Sequence, residues 1–169
     1  MPMSPSISRA DGRTRIDVTM TVSGIFRDLF AAIGGAAVPA RVAALAAAGG
    51  PDVHPHAVSP AEDRARWDKD VANFNEDVKK IEKFLLDVLE KRLTGDDIRK
   101  TGFSFFGTQG GWYTVGWKMS VLIEKTYGRE KLIECICDQR KLLSTYNDAA
   151  RKHNRSSREP LALWSDSLE

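Results

Sequence analysis

The chain has 169 residues, with 25 Lys plus Arg against 23 Asp plus Glu and a formal net charge of +2. That length holds one domain with a real core, and the charge balance excludes a polybasic nucleic-acid or membrane-surface binder, whose affinity needs clustered positive charge. Two cysteines exclude a disulfide framework, and three histidines leave few imidazole ligands for a metal site.

Residues 1–20 are polar with no sustained period and read as a terminus without regular structure. Residues 29–50, LFAAIGGAAVPARVAALAAAGG, are rich in alanine and glycine. Pro39 and Arg41 interrupt the run, so it falls short of the roughly 20 uninterrupted apolar residues of a membrane span. No signal peptide is read either, because the first 28 residues carry both charge signs and the apolar run starts late. One or two weak helices, broken at Gly34-Gly35 and near Pro39, are the expectation here. Residues 51–60, PDVHPHAVSP, hold three prolines and read as a solvated linker. Residues 1–60 are thus a weakly structured, poorly ordered lead-in, and 61–169 are the folded domain.

From residue 61 the pattern is regular. Trp67, Val71, Phe74, Val78, Ile81, Leu85 and Val88 follow in alternating steps of four and three, which predicts one long amphipathic helix capped by Ser59 or Asp63. Thr94-Gly95 ends it, Asp96 caps a short helix to Lys100, and Thr101-Gly102 stops that. Residues 103–111 form a glycine-containing loop. A helix follows from about Trp112 to Tyr127, with Val115, Met119, Leu122 and Ile123 inward and Gly128 as a left-handed cap. Residues 129–137 give a short helix with Leu132, Ile133, Ile136 and Cys137 inward, and a last helix starts at Asp138. Leu161, Leu163 and Trp164 are expected to dock the tail on the body. No strand pattern of comparable strength occurs. The fold class is all-α, a bundle-like domain with one long helix and three or four shorter ones.

Few residues stand out as chemistry. His54 and His56 flank Pro55 without a supporting acidic or cysteine cluster beyond Asp52, and His153 sits in a basic helix end. Cys135 and Cys137 are two apart on a helix, so their side chains diverge. The GTQGG loop precedes a helix but lacks the Lys-Ser/Thr of a phosphate loop. The dense segment from Gln109 to Lys118 admits two readings. Trp112, Trp117 and the flexible Gly110, Gly111 and Gly116 suit close packing. Alternatively the segment walls a substrate pocket, with Tyr113 and Trp117 on one helix face, Tyr113 presenting its hydroxyl and Gln109 orienting substrate.

The string QGGWYTVGWKM at 109–119, with Ile123-Glu124, Gly128-Arg129, Leu142-Leu143, Tyr146-Asn147 and Ala149-Ala150, resembles the C-terminal part of a bacterial family described as zinc-dependent peptidases. The resemblance spans roughly residues 64–166. It implies a helical subdomain beside a metallopeptidase centre, a peptide substrate, and zinc on a His-Glu-x-x-His helix with a third ligand from a Glu-Gly-x-Ala stretch. Such a centre needs three protein ligands, an open position for water and a glutamate to take its proton. Here no histidine precedes a glutamate, so that helix is missing, and Val22-Ser23-Gly24-Ile25 has serine where the glutamate would stand. Gly111 replaces the family's usual proline. Under the resemblance Tyr113 is a candidate hydrogen-bond donor to an oxyanion and Gln109 a substrate-orienting group.

Two expectations follow. The first is a truncated or degenerate member of the peptidase family, with no zinc of its own and no hydrolytic activity alone. A variant of this expectation is a misplaced gene start, with a His-Glu-x-x-His helix encoded in frame upstream of Met1. The second is a helical interaction module that uses the Trp67–Val88 stripe to pair with a partner helix.

Overall fold

A computed structural model describes residues 49–105 and 110–168. The weak helices expected over 29–50, the polar terminus, the Val22–Ile25 stretch and Gln109 lie outside the described residues. Six α-helices make up the described part: α1 Ala61–Ala72, α2 Phe74–Leu89, α3 Gly95–Ser104, α4 Gly111–Tyr127, α5 Arg129–Cys137 and α6 Leu142–Asn154, with a 3₁₀ turn Gln139–Lys141 before α6. No strand occurs among the described residues, so the all-α class stands. No helix among them is long and apolar enough to cross a membrane.

α4 is the central element and packs against α1, α2, α5 and α6. Its inward residues Val115, Met119 and Ile123 meet Phe74, Val78, Ile81, Phe84, Leu85 and Val88 of α2, Leu132 of α5, and Tyr146 and Ala150 of α6 in one core. The predicted stripe is that core: Trp67, Phe74, Val78, Ile81, Leu85 and Val88 are all buried, with Val71 half-buried. Burying side chains of this kind contributes about 1.5–3 kcal/mol each.

The one long helix expected over this stripe is two helices meeting at Asn73. The Asn73 N–H is shared between the carbonyls of Lys69 and Asp70, at 3.3 and 3.2 Å. This tightens the last turn of α1 toward 3₁₀ geometry before α2 resumes. α2 also stops sooner than Thr94-Gly95. Lys91 turns left-handed at φ 57°, its N–H reaches Val88 O at 3.1 Å, and the Arg92 N–H reaches Asp87 O at 2.8 Å. That is a Schellman ending with lysine where glycine is usual. Thr94, not Asp96, then precedes α3, with Asp96 and Asp97 in its first turn where the helix dipole favours negative charge. α3 runs through Thr101-Gly102 to Ser104.

α5 presents a different face from the one expected. Leu132 and Cys135 are buried, whereas Ile133 is half exposed, at 51 %, and Cys137 faces outward. The sequence contains two overlapping apolar sets, 132/135/136 and 133/136/137, and packing on α4, α6 and the 3₁₀ turn chooses between them. Hydrogen bonds from Lys131 and Lys141 hold the Glu134 carboxyl down at about 2 and tie α5 to the turn before α6. Gly128 separates α4 from α5 at φ 88°, ψ 167°. That is not the left-handed helical cap expected but an extended region nearly reserved for glycine. Nothing lies within 4 Å of a Cβ built there. Gly128→Ala is therefore expected to cost about 1–3 kcal/mol from backbone strain alone, read as a lower urea midpoint with unchanged slope.

Residues 51–60, expected as a solvated linker, contain no buried residue but touch the helices at three places. Asp52 pairs with Lys125 of α4 at 2.7 Å, His54 with Asp68 of α1 at 2.9 Å, and the His56 ring lies 5.2 Å from that of Trp67. Pro51 and Pro55 stand second in turns closed by Val53 N–H to Gly50 O and Ala57 N–H to His54 O, and Pro60 is the residue that precedes α1.

Candidate functional site

The aromatic-glycine segment is the first turns of α4, and it faces two ways. Gly110 precedes the helix in an extended conformation, φ −66° and ψ 173°, and its carbonyl accepts the Tyr113 N–H at 2.9 Å. Trp112 turns inward. Its indole N–H donates to Gly102 O at 3.0 Å, its main-chain N–H to Phe105 O at 3.2 Å, and its ring packs edge-on against Phe105 and Phe84. Trp112 thus fastens α3 and α2 to the start of α4. Trp117, five residues on, points to the other side and meets Trp67 of α1 at 5.6 Å. Gly116 is buried, and its carbonyl accepts the Ser120 hydroxyl at 2.8 Å. Tyr113 is half-buried on the first turn. Lys118 lies 4.8 Å from the Phe74 ring centre, and burial lowers its pKa.

Gly111 is the first helical residue, beside Asp77 of α2. A Cβ there would sit 3.5 Å from Asp77 Cβ, ordinary contact. Proline suits this position: its missing N–H is owed no helical partner, and the extended Gly110 is what a following proline requires. Gly111→Pro is expected to stabilise the fold by about 0.4–1 kcal/mol by restricting the unfolded chain. Thermal unfolding checks this, with a rise of about 2–4 °C per kcal/mol.

Trp117 and Trp67 lead to the histidines. His54 Nδ1 accepts the His56 main-chain N–H at 2.9 Å, so its proton sits on Nε2 and donates to Asp68 at 2.9 Å. His56 Nδ1 lies 3.0 Å from Ser59 Oγ. A serine against an imidazole is the pairing of an activated nucleophile. Here the carboxylate that would orient such a base is bound to the other histidine, so the two pairs do not form one relay. The indole nitrogens of Trp67 and Trp117 are buried without a hydrogen-bond partner among the described residues.

All three histidines and both cysteines of the chain fall among the described residues. Zinc would need imidazole lone pairs. Both His54 nitrogens are committed, His153 sits apart in the last turn of α6, Cys135 is buried with Sγ 3.8 Å from Lys141 O, and Cys137 is exposed. No group of three or more His, Cys, Asp or Glu side chains among the described residues is placed to hold a metal ion.

A second polar cluster escaped the sequence reading. Asn75 of α2 and Asn147 and Asn154 of α6 turn toward the tail, where Trp164 and Leu168 are buried and Leu161 and Leu163 half-buried. Asparagine is a poor helix former, so Asn147 in the middle of α6, between the apolar Tyr146 and Ala149, was the available signal; Asn75 and Asn154 stand at helix ends, where asparagine is ordinary.

No curated protein and no solved structure matches the chain. Residues 42–155, about two thirds of its length, match the family described as Putative zinc dependent peptidase. The match takes in the His54–Asp68 corner, α1 through α6 and the aromatic-glycine segment. The chain belongs to that family.

Proposed function

We propose that this chain is a degenerate member of the peptidase family that binds no catalytic zinc and hydrolyses no peptide by itself. The observation that supports this is the engagement of His54 through both ring nitrogens in a chain with only two other histidines. In this reading Tyr113, at the mouth of α4, and Gln109 before it serve a peptide substrate whose zinc ligands come from outside these residues. Tyr113 would donate its phenol hydrogen to a developing oxyanion, a role that depends on a metal or base this chain does not supply. The test is metal analysis of the purified chain together with a peptide panel. Substoichiometric zinc and no chelator-sensitive hydrolysis are expected. One zinc per chain with hydrolysis abolished by a chelator overturns the proposal. The partner-helix reading has no such support, because six of the seven stripe residues are buried in the chain's own core.

A further inference from the structure

The segment 160–165 buries Trp164 in the core and packs Leu161 and Leu163 against it, and its main chain is held by side chains as well. Asn75 donates to Pro160 O at 2.9 Å and accepts the Ala162 N–H at 2.7 Å. Asn154 accepts from Leu161 N at 2.7 Å and donates to Leu161 O at 3.0 Å. Asn147 does the same for Trp164, both at 2.9 Å. Tyr146 donates its hydroxyl to Ala162 O at 2.7 Å and Lys79 its ammonium to Leu163 O at 2.8 Å, while Glu82 accepts the Ser165 N–H at 2.5 Å. Nine main-chain donors and acceptors are therefore met by side chains of two helices, as a neighbouring strand would meet them.

A carboxamide that takes both the N–H and the C=O of one residue reads the peptide group and not its side chain. The main-chain bonds therefore do not depend on which polypeptide supplies the segment, and selectivity falls to the pockets of Leu161, Leu163 and Trp164. Half of the gripping residues are fixed by burial: Tyr146 and Asn147 are fully buried and Glu82 nearly so, whereas Asn75 and Lys79 are exposed. The seated segment hangs on an exposed connection, Arg155 to Glu159. All six gripping residues fall inside the family match at 42–155, whereas the seated segment falls beyond it. Receptor and occupant are thus separable in sequence as well as in bonding.

We infer that the groove between α2 and α6 is a binding site for an extended polypeptide segment of a partner protein, filled here in cis by residues 160–165. The ligand is an uncharged stretch with aliphatic residues in the places of Leu161 and Leu163 and an aromatic in the place of Trp164. The inference does not rest on the absence of zinc, and its test reads binding alone.

The test uses the full chain carrying Ala162→Pro. This removes the N–H that Asn75 accepts and weakens the cis segment without touching the groove. The probe is a fluorescent peptide with the native sequence of residues 158–168, followed by anisotropy. A cis segment competes at an effective concentration of about millimolar, so the variant is expected to bind the peptide at least about tenfold more tightly than the native chain. A peptide with isoleucine for both leucines and phenylalanine for the tryptophan should bind within about threefold of it, and one N-methylated at the Leu161 and Trp164 nitrogens should not bind. Absence of binding to a folded variant overturns the inference. So does a concentration-dependent dimer without peptide uptake, which would assign the groove to a second copy of the chain. Should the variant not fold, the native chain is photo-crosslinked to a peptide carrying benzophenone in the place of Leu163. Labelling of α2 and α6 supports the inference, and its absence at saturating peptide overturns it.

Discussion

Trp112→Ala is expected to destabilise the domain by about 3–5 kcal/mol, the usual cost of emptying a buried aromatic site. Trp112 is 4 % exposed and stands where three helices converge. Removing it deletes the edge contacts to Phe84 and Phe105 and leaves Gly102 O without its indole donor. Part of the penalty is therefore a cavity and part an unpaired carbonyl, and the two can be separated. Trp112→Phe keeps a ring but not the N–H, so it should cost less than alanine by the share the cavity carries. Urea unfolding followed by circular dichroism measures both. Against a total stability of about 5–15 kcal/mol, the alanine variant is expected to lose a large part of its margin. A loss under about 1 kcal/mol would show that α3 is not anchored through this residue.

Asn147→Asp should be nearly as damaging although it changes almost no volume. Asn147 is fully buried, and its amide both accepts from Trp164 N and donates to Trp164 O. Aspartate keeps the acceptor, loses the donor and sets a carboxylate against a carbonyl oxygen. A buried charge without a partner costs about 3 kcal/mol or more unless it protonates. The expected result is a loss of roughly that size at neutral pH with detachment of the tail, seen as an increase in Trp164 solvent exposure. The carboxylate is the harmful form, so its pKa in the fold lies above the unfolded value. The deficit is then smallest below the unfolded pKa and grows as pH rises through the folded one. An N147D variant as stable as the native chain at neutral pH would mean that Asn147 does not hold the tail.

Much of this fold was legible because helix periodicity is a local property. The steps of four and three from Trp67 to Val88 named the inward face of α1 and α2 correctly, and the run from Val115 to Ile123 did so for α4. Leu161, Leu163 and Trp164 stood out as apolar residues in a polar tail and are indeed packed on the core. The errors came where local signals were degenerate. Asn73 interrupts a hydrophobic stripe without disturbing its spacing, so the stripe could not reveal the break. On α5 two apolar sets overlap, and Ile133 lost to Leu132 and Cys135 because of what α4, α6 and the turn before α6 present to them. Proline-rich 51–60 carried every mark of a linker. Its docking depends on Asp68, Trp67 and Lys125, which its own sequence does not contain.

By itself the sequence determined an all-helical body, its inward stripe, and the lack of any histidine followed by glutamate. Those are matters of composition and of a period of 3.6 residues, which each stretch of chain carries within itself. Only the tertiary structure decided that both nitrogens of His54 are spoken for, and that Asn75, Asn147 and Asn154 converge on one segment of main chain. Asn75 and Pro160 are 85 positions apart. Which polar groups meet across such a distance follows from how α2 and α6 pack beside α4, because a hydrogen bond is satisfied only by a partner at the right place and angle.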